Sequence, residues 1–211
     1  MKVAIIDYSM GNLRSVHKAW QAIGTEATII DSPALAKDAD LLVFPGQGAM
    51  TETIKLLRRT GFDSLIKDWI AQDKPFFGIC LGLQALFEYS EEGDSEALGI
   101  FKGSVKKMRL PREYKVPHMG WNNVSFKEDE ALLKGIDKEK EQFYFVHSYY
   151  VDTPQEEIIF GQTQYSDVKF TSAIKKSNLM ACQFHPEKSQ AKGLLLFKNF
   201  VEYIKKSSSE F

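Results

Sequence analysis

The stretch FFGICLGLQALFE, residues 76–88, joins a run of apolar residues directly to a segment of helix-forming residues. The run 75–80 has the length and composition of a fully buried β-strand, and the segment after it favours a helix. Cys80 is therefore expected at the carboxyl end of a strand. In open α/β sheets, ligands bind at that edge.

The segments before this stretch alternate between strand and helix patterns. Strands are predicted at 2–6, 26–30 and 40–44, and helices at 12–23, after Pro45 and at 63–72. Such alternation is typical of a parallel sheet covered by helices.

From about Gly103 the pattern changes to short β-rich runs that are separated by turns. We expect mixed or antiparallel strands at 103–109, 142–146, 157–163, 170–174 and 179–184, all completing the same sheet. An amphipathic helix at 191–205 should pack on that sheet. The whole pattern predicts a single α/β domain over residues 1–206, with a mixed, mostly parallel sheet flanked by helices, and a flexible tail at 207–211.

The charge balance and hydropathy argue against two classes of partner. The 27 Lys and Arg residues nearly cancel the 28 Asp and Glu residues, so no overall field attracts nucleic acid or an anionic membrane. No apolar stretch approaches the roughly 20 residues that span a bilayer. The N-terminal apolar run meets Asp7 too early for a signal peptide, which predicts a cytoplasmic protein.

The cysteines and histidines do not form a metal-binding pattern. Cys80 and Cys182 are expected to be free thiols in a reducing compartment. The four histidines, at positions 17, 118, 147 and 185, are scattered and lack the spacing of zinc ligands. We therefore expect no metal and no cofactor.

Cys80 is the candidate nucleophile. Gly78 and Gly82 flank it in the G-x-C-x-G spacing of a nucleophile elbow, where glycines let the backbone turn sharply and leave room for a substrate. A helix N-terminus after Cys80 would favour a thiolate and offer backbone N–H groups to an oxyanion. A buried structural cysteine beside an incidental glycine pair is the alternative, and the motif alone does not separate the two.

The segment QFHPEKS, residues 183–189, favours the catalytic interpretation. It follows another apolar strand, and Pro186 restrains the backbone so that His185 and Glu187 are presented together. These two side chains would supply a general base and the group that orients it. Cys182 lies inside the apolar strand without flanking glycines, so we expect a small core residue there.

The segment PGQGAM, residues 45–50, follows the strand at 40–44. Gly46 and Gly48 permit backbone conformations that expose amides to a ligand, which predicts an anion-binding turn. The endings of a Walker motif and the third glycine of a dinucleotide fingerprint are both absent. A simple strand-to-helix turn is the alternative.

Six motifs together resemble the class I glutamine amidotransferase family over nearly the whole chain. They are DYSMGNLRSV (7–16), PGQGAM (45–50), GICLGLQ (78–84), VPHMGWN (116–122), FYFVHSYYV (143–151) and QFHPEKS (183–189). The first and fourth are most similar to the glutaminase subunits of imidazole glycerol phosphate synthase. The resemblance implies a flavodoxin-like fold and L-glutamine as the substrate.

The resemblance also implies roles for individual residues. Cys80 would be the nucleophile, His185 the acid and base, and Glu187 its orienter. Substrate contacts are implied for Gly48, Leu81, Gln84, Ser148 and Tyr149, with the amides of Gly48 and Leu81 forming the oxyanion hole. A structural role is expected for the side chain of His147.

A partner is implied as well, because one domain leaves no room for a synthetic reaction. The resemblance makes this partner a (β/α)-barrel cyclase subunit of histidine biosynthesis, which would form a heterodimer and receive the ammonia. Asn12, Trp121 and Asn122 would face it. The resemblance further suggests a weak glutaminase in the absence of the partner.

Two departures and three alternatives accompany this interpretation. Ser9 stands where the family has glycine, and Gln47 stands where it has valine, which affects loop conformation but no catalytic group. The alternatives are a related subunit that supplies ammonia for amidation of a surface sugar, a non-catalytic scaffold or regulatory module of the same fold, and a cysteine hydrolase of the intramolecular-chaperone type.

Overall fold

The computed structural model describes residues 1–10 and 12–207, which contain fourteen strands and five α-helices. The strands are β1 Lys2–Ile6, β2 Glu26–Ile30, β3 Leu41–Gly46, β4 Phe76–Cys80, β5 Tyr89–Ser90, β6 Ser95–Glu96, β7 Ser104–Lys107, β8 His118–Asn123, β9 Ser125–Phe126, β10 Gln142–His147, β11 Tyr149–Asp152, β12 Ile159–Tyr165, β13 Val168–Lys176 and β14 Leu179–Cys182. The helices are α1 Leu13–Ala22, α2 Met50–Thr60, α3 Phe62–Ala71, α4 Leu81–Gln84 and α5 Gln190–Ser207.

The first half of the main sheet is parallel, as the alternating pattern predicts. Its strands lie in the order β2, β1, β3, β4 and β14, and each neighbouring pair is parallel. All residues of β3, β4 and β14 are buried because helices cover both faces. The continuous apolar character of these strands in the sequence reflects that burial.

The second half of the sheet is mostly antiparallel and includes β13, β11, β7, β5, β6, β12 and β9. One expectation about it is wrong: the strand predicted at 142–146 does not join the main sheet. It forms β10, which pairs with β8 in a separate two-stranded sheet. Alternate residues of β10 are buried, and Phe143 stacks 4.3 Å from Phe184, so its apolar face packs against the core. Pairing with β8 and this packing hold β10 in place, and within the described residues β10 forms no pairing with the main sheet.

Two apolar clusters account for the core. In one of them α1 and α5 meet β4, where the ring centroids of Trp20 and Phe197 lie 4.3 Å apart and Phe77 contacts Phe197 edge-on at 5.1 Å. The last helix therefore packs on the sheet, as predicted. It extends to Ser207, the first residue of the predicted tail, and 208–211 lie outside the described residues.

The pairing of three strands brings the three candidate motifs together. Gly46, at the end of β3, is the register partner of Cys80 at the end of β4, and Cys182 of β14 pairs beside Ile79. The segments after β3, β4 and β14 consequently start at one edge of the sheet. Within residues 1–10 and 12–207, no helix is long and apolar enough to cross a membrane.

Candidate active site

Cys80 has a backbone conformation that fits the sharp strand-to-helix turn of a nucleophile elbow. Its φ is 54° and its ψ is −105°, which is a rare and strained conformation for a residue with a Cβ atom. The expectation that the flanking glycines make the turn is thus wrong in detail. Gly78 and Gly82 do not have positive φ, and Cys80 itself absorbs the turn.

The glycines are required for close packing instead. A Cβ atom on Gly82 would lie 1.9 Å from the carbonyl oxygen of Phe44, and one on Gly78 would lie 2.8 Å from the Cβ of Ala181. Because neither glycine has a Cβ atom, the elbow can lie directly against β3 and β14. The helix predicted after Cys80 is the single turn α4, so its dipole is weaker than that of a long helix. Stabilisation of a negative charge on the Cys80 sulfur must therefore come mainly from neighbouring side chains.

His185 is the side chain that can stabilise a negative charge on the Cys80 sulfur. Its Nδ1 atom lies 2.7 Å from Oε1 of Glu187, and the two side chains are only 3% and 2% exposed. Burial alone would lower the pKa of His185. The adjacent Cys80 thiolate, by its charge and its hydrogen bond, and then Glu187 outweigh burial and raise the pKa to about 10. At neutral pH the imidazole of His185 is therefore protonated.

The turn that carries His185 and Glu187 is held from both sides. The amide of His185 donates to the carbonyl oxygen of Tyr144 at 2.8 Å, and the hydroxyl of Ser189 donates to the carbonyl oxygen of His185 at 2.7 Å. On the other side, a Cβ atom on Gly193 of α5 would lie 1.8 Å from the carbonyl oxygen of Pro186. The restraint attributed to Pro186 alone is thus shared with the helix that follows.

A cavity of about 430 Å³ opens over Cys80 and His185. Its wall contains all five residues predicted to contact a substrate, namely Gly48, Leu81, Gln84, Ser148 and Tyr149. Glu187 lies behind His185 and does not reach the cavity. Asn12, predicted to face a partner, lies near this pair, since Asn12, His185 and Glu187 border one small void.

The loop after β3 adopts the glycine-dependent conformation that the sequence predicts. Gly48 has a φ of +97°, and a Cβ atom there would lie 2.2 Å from Cε of Met10. No other residue type fits this position without moving Met10. Gln47 and Gly48 both line the cavity that opens over Cys80.

Sequence reasoning missed two side chains at the site. Gln183 donates from Nε2 to the Cys80 sulfur at 3.5 Å, and its Oε1 accepts from Nε2 of Gln84 at 2.9 Å. Glu92 lines the cavity and accepts the amide of Met50, the first residue of α2, at 2.8 Å. Gln183 is part of the QFHPEKS motif, but a glutamine side chain gives no specific signal of a catalytic role. Glu92 lies in an acidic turn, and only the tertiary structure shows that it lines the cavity.

A family model described as glutamine amidotransferase class-I matches residues 4–203 of the chain. The imidazole glycerol phosphate synthase subunit HisH of Caldanaerobacter subterraneus subsp. tengcongensis is 47% identical and covers 96% of this chain and 98% of its own. The HisH subunit of Aquifex aeolicus is 46% identical and covers 98% and 99%. The chain belongs to the class I glutamine amidotransferases, in the HisH group. The resemblance drawn from the six motifs is confirmed.

Solved structures support the amidotransferase fold. A putative GMP synthase subunit from Thermoplasma acidophilum has a TM-score of 0.73 at 19% identity, covering 99% of this chain and 96% of its own. A glutamine amidotransferase has a TM-score of 0.74 at 18% identity, covering 96% and 98%. At such identities the similarity concerns the fold alone, and it confirms the predicted class.

The remaining predicted residues of this amidotransferase lie away from the cavity floor. Trp121 is 44% exposed on the outer side of β8. Asn122, the next residue, points inward and donates to the carbonyl oxygen of Gln164 at 3.0 Å. Cys182 is fully buried, and burial raises the pKa of its thiol, in agreement with the predicted core position. Among residues 1–10 and 12–207, no group of three potential metal ligands comes together.

The packing at Gly82 generates a prediction for the amidotransferase elbow. We expect Gly82→Ala to lower the free energy of unfolding by about 1–3 kcal/mol, because the added methyl group collides with the Phe44 carbonyl. We also expect slower alkylation of Cys80 by iodoacetamide, since the elbow must move. Gly99→Ala is the control: its Cβ atom would meet nothing within 4 Å, so its only cost is the strain of an alanine at a φ of +66°, and it should leave alkylation of Cys80 unchanged. Equal alkylation rates in the two variants would contradict this account of the elbow.

Proposed function

We propose that this chain is the glutaminase subunit of an imidazole glycerol phosphate synthase, which hydrolyses L-glutamine and passes the ammonia to a (β/α)-barrel cyclase. The observation that carries the proposal is the buried Cys80, His185 and Glu187 constellation at the floor of a cavity of about 430 Å³. The relatives named as HisH support the choice of synthase.

The first half-reaction forms a thioester. The Cys80 thiolate attacks the side-chain carboxamide carbon of glutamine, and the tetrahedral oxyanion is stabilised by the amides of Gly48 and Leu81. The imidazolium of His185 then donates its proton to the departing nitrogen, so ammonia leaves as the C–N bond breaks. His185 is protonated at the start of this step, because its pKa is raised to about 10.

The second half-reaction releases glutamate. His185, now neutral, removes a proton from water as the water oxygen attacks the thioester carbonyl carbon. Collapse of the intermediate breaks the C–S bond, restores the Cys80 thiolate and leaves His185 protonated. Glu187 accepts the Nδ1 hydrogen throughout, which keeps Nε2 directed at the reacting atoms.

The cavity wall offers a partner for the charged end of the substrate. Free glutamine carries an ammonium group, and Glu92 lines the same cavity as Gln84 and Tyr149. A contact between opposite charges in a partly enclosed cavity would select an amino acid over a simple amide. We assign substrate recognition to Glu92 together with the backbone at Ser148 and Tyr149.

The outer face of β8 is the proposed docking face for the cyclase. Met119 and Trp121 are 62% and 44% exposed, and adjacent Val116 is 41% exposed. Large apolar side chains in such a group are typical of protein interfaces. Asn122 lies on the inner side of the same strand, and Asn12 borders the small void next to His185 and Glu187. Both cysteines are free, which is compatible with a cytoplasmic enzyme.

The two cysteines give a matched test of the nucleophile. We expect Cys80→Ala to fold normally and to lose glutaminase activity by a factor on the order of 10⁶, which is the effect of removing a triad nucleophile elsewhere. Cys182→Ala removes a second free, buried thiol, and this variant should keep its activity. Glutamate release, measured with the cyclase subunit present, distinguishes them. Turnover by Cys80→Ala would reject the assignment.

Glu92 gives a test of substrate recognition. We expect Glu92→Gln to raise the KM for glutamine by about 10- to 100-fold, because a charge-assisted contact with the ammonium group is lost. The side-chain amide introduced at position 92 keeps an oxygen that can accept the hydrogen bond from the Met50 N–H, so the start of α2 should be preserved. Glu96→Gln, at a carboxylate that is 86% exposed, is the control. If both variants have the wild-type KM, Glu92 does not bind the substrate.

Trp121 gives a test of the docking face. We expect Trp121→Ala to weaken binding of the cyclase subunit by about 30-fold, the typical effect of losing an aromatic hot spot of roughly 2 kcal/mol. Leu35→Ala removes a side chain that is 60% exposed near the β2 edge and should leave binding unchanged. Isothermal titration with the purified cyclase of the same organism measures both. Equal affinity in both variants would place the interface elsewhere.

A further inference from the structure

Two buried imidazoles have no part in the proposed reaction. His118 of β8 and His147 of β10 are register partners, with only 3% and 6% of their surfaces exposed. The ring of His118 stacks between Phe145 and Tyr165, with centroid distances of 4.9 and 4.1 Å. Burial lowers the pKa of His118 to about 4 and that of His147 to about 3, so both rings are neutral at physiological pH.

Hydrogen bonding fixes the tautomer of each ring. Nδ1 of His147 lies 2.8 Å from the carbonyl oxygen of Tyr149, which can only accept, so Nδ1 carries the hydrogen and Nε2 is an acceptor. Nδ1 of His118 lies 3.0 Å from that Nε2 and must donate to it. Nε2 of His118 is left as an acceptor and receives a hydrogen from Nδ2 of Asn122 at 3.3 Å.

The orientation of the Asn122 amide is fixed as well. Its Nδ2 also lies 3.0 Å from the carbonyl oxygen of Gln164, and its Oδ1 accepts the amide of Asn123 at 2.8 Å. If the amide were flipped, Oδ1 of Asn122 would face two other acceptors, Nε2 of His118 and the carbonyl oxygen of Gln164. The three side chains therefore have a single donor and acceptor assignment, running from Asn122 through His118 to His147.

The chain of hydrogen bonds continues on the other side of Tyr149. The Tyr149 carbonyl oxygen also accepts from Nε2 of Gln84 at 2.8 Å, and the second hydrogen of that amide reaches Oε1 of Gln183 at 2.9 Å. Nε2 of Gln183 then donates to the sulfur of Cys80 at 3.5 Å. A continuous buried network thus connects β8 to the thiol, with the Tyr149 carbonyl at its centre.

We propose that His118 and His147 are positioning residues that hold the Tyr149 carbonyl and, through the Gln84 and Gln183 amides, set the geometry of the glutamine cavity and the Cys80 thiol. His118 does not line the glutamine cavity, so its effect can only be indirect, whereas His147 also forms part of the cavity wall; neither ring takes part in the proposed proton transfers. A fully satisfied network in a buried environment has one low-energy arrangement, so removing its middle member releases the groups at its end. The kinetic part of this inference rests on the proposed glutaminase function.

Purely structural imidazoles would behave differently. If the two rings only fill space between Phe145, Tyr165 and Phe170, their replacement by phenylalanine would alter stability and leave the site unchanged. The positioning role requires a selective effect on substrate binding and on the thiol. It also requires that restoring the hydrogen bond to Tyr149, without restoring the imidazole, restores function.

The test compares three variants and a control in the full-length chain. His147→Phe removes both hydrogen bonds of His147, and His147→Asn keeps a donor near the position of Nδ1. His118→Phe keeps the ring stack. Thr163→Val is the control, because it removes a buried hydroxyl pair, Thr163 Oγ1 to Ser172 Oγ at 2.8 Å, that lies outside the network. The measurements are KM and kcat for L-glutamine with the cyclase present, and the pH profile of Cys80 alkylation by iodoacetamide.

We expect His147→Phe to raise the KM by about tenfold, the effect of one buried hydrogen bond, with a smaller change in kcat. Its alkylation profile should shift along the pH axis because the Gln183 amide no longer holds its position beside the sulfur. His147→Asn should have a KM close to that of the wild type. His118→Phe should change both quantities in the same direction as His147→Phe, and Thr163→Val should change neither.

Three results would overturn the inference: an unchanged KM and alkylation profile in folded His147→Phe, equal defects in His147→Phe and His147→Asn, or a defect of the same size in Thr163→Val. If His147→Phe does not fold, unchanged values in His118→Phe overturn it. A wild-type chain without glutaminase activity would instead refute the proposed function. The alkylation comparison would still test the positioning role, because it requires no turnover.

Discussion

The structure of the site depends on one strained residue. Cys80 holds a positive φ of 54°, and such a conformation costs about 1–3 kcal/mol and persists only where its surroundings enforce it. The enforcement comes from Gly82, packed against the Phe44 carbonyl, and from Gly78, packed against Ala181. The strands on both sides of β4 therefore stabilise the turn that presents the thiol.

The same strand pairing explains why distant motifs form one site. Parallel alignment of β3, β4 and β14 places the loop of Gly48, the thiol of Cys80 and the turn of His185 at one sheet edge. The placement of His185 beside Cys80 depends on this alignment, since the two residues follow or end neighbouring strands. A shift of β14 against β4 would move His185 away from the sulfur of Cys80 and lower the reactivity of the thiol.

The separate two-stranded sheet contains residues of both proposals. β8 exposes Met119 and Trp121 on one side and buries His118 on the other, as expected for a strand with alternating faces. One strand therefore carries both the proposed docking face and the first groups of the hydrogen-bond network that ends at Cys80. Its position outside the main sheet leaves one face free for a partner.

The sequence by itself determined the fold class and the parallel half of the sheet, and it supplied the proposed roles of Cys80, His185 and Glu187, because these follow from local patterns of burial and from short motifs. It did not determine the pairing of β10, the strain at Cys80 itself, or the places of Gln183, Glu92 and His118. Those features arise from contacts between residues far apart in the chain, such as the 103 positions that separate Gln183 from the sulfur that it contacts. Residue type alone carries no information about such contacts, and only the packed structure decides which polar groups meet.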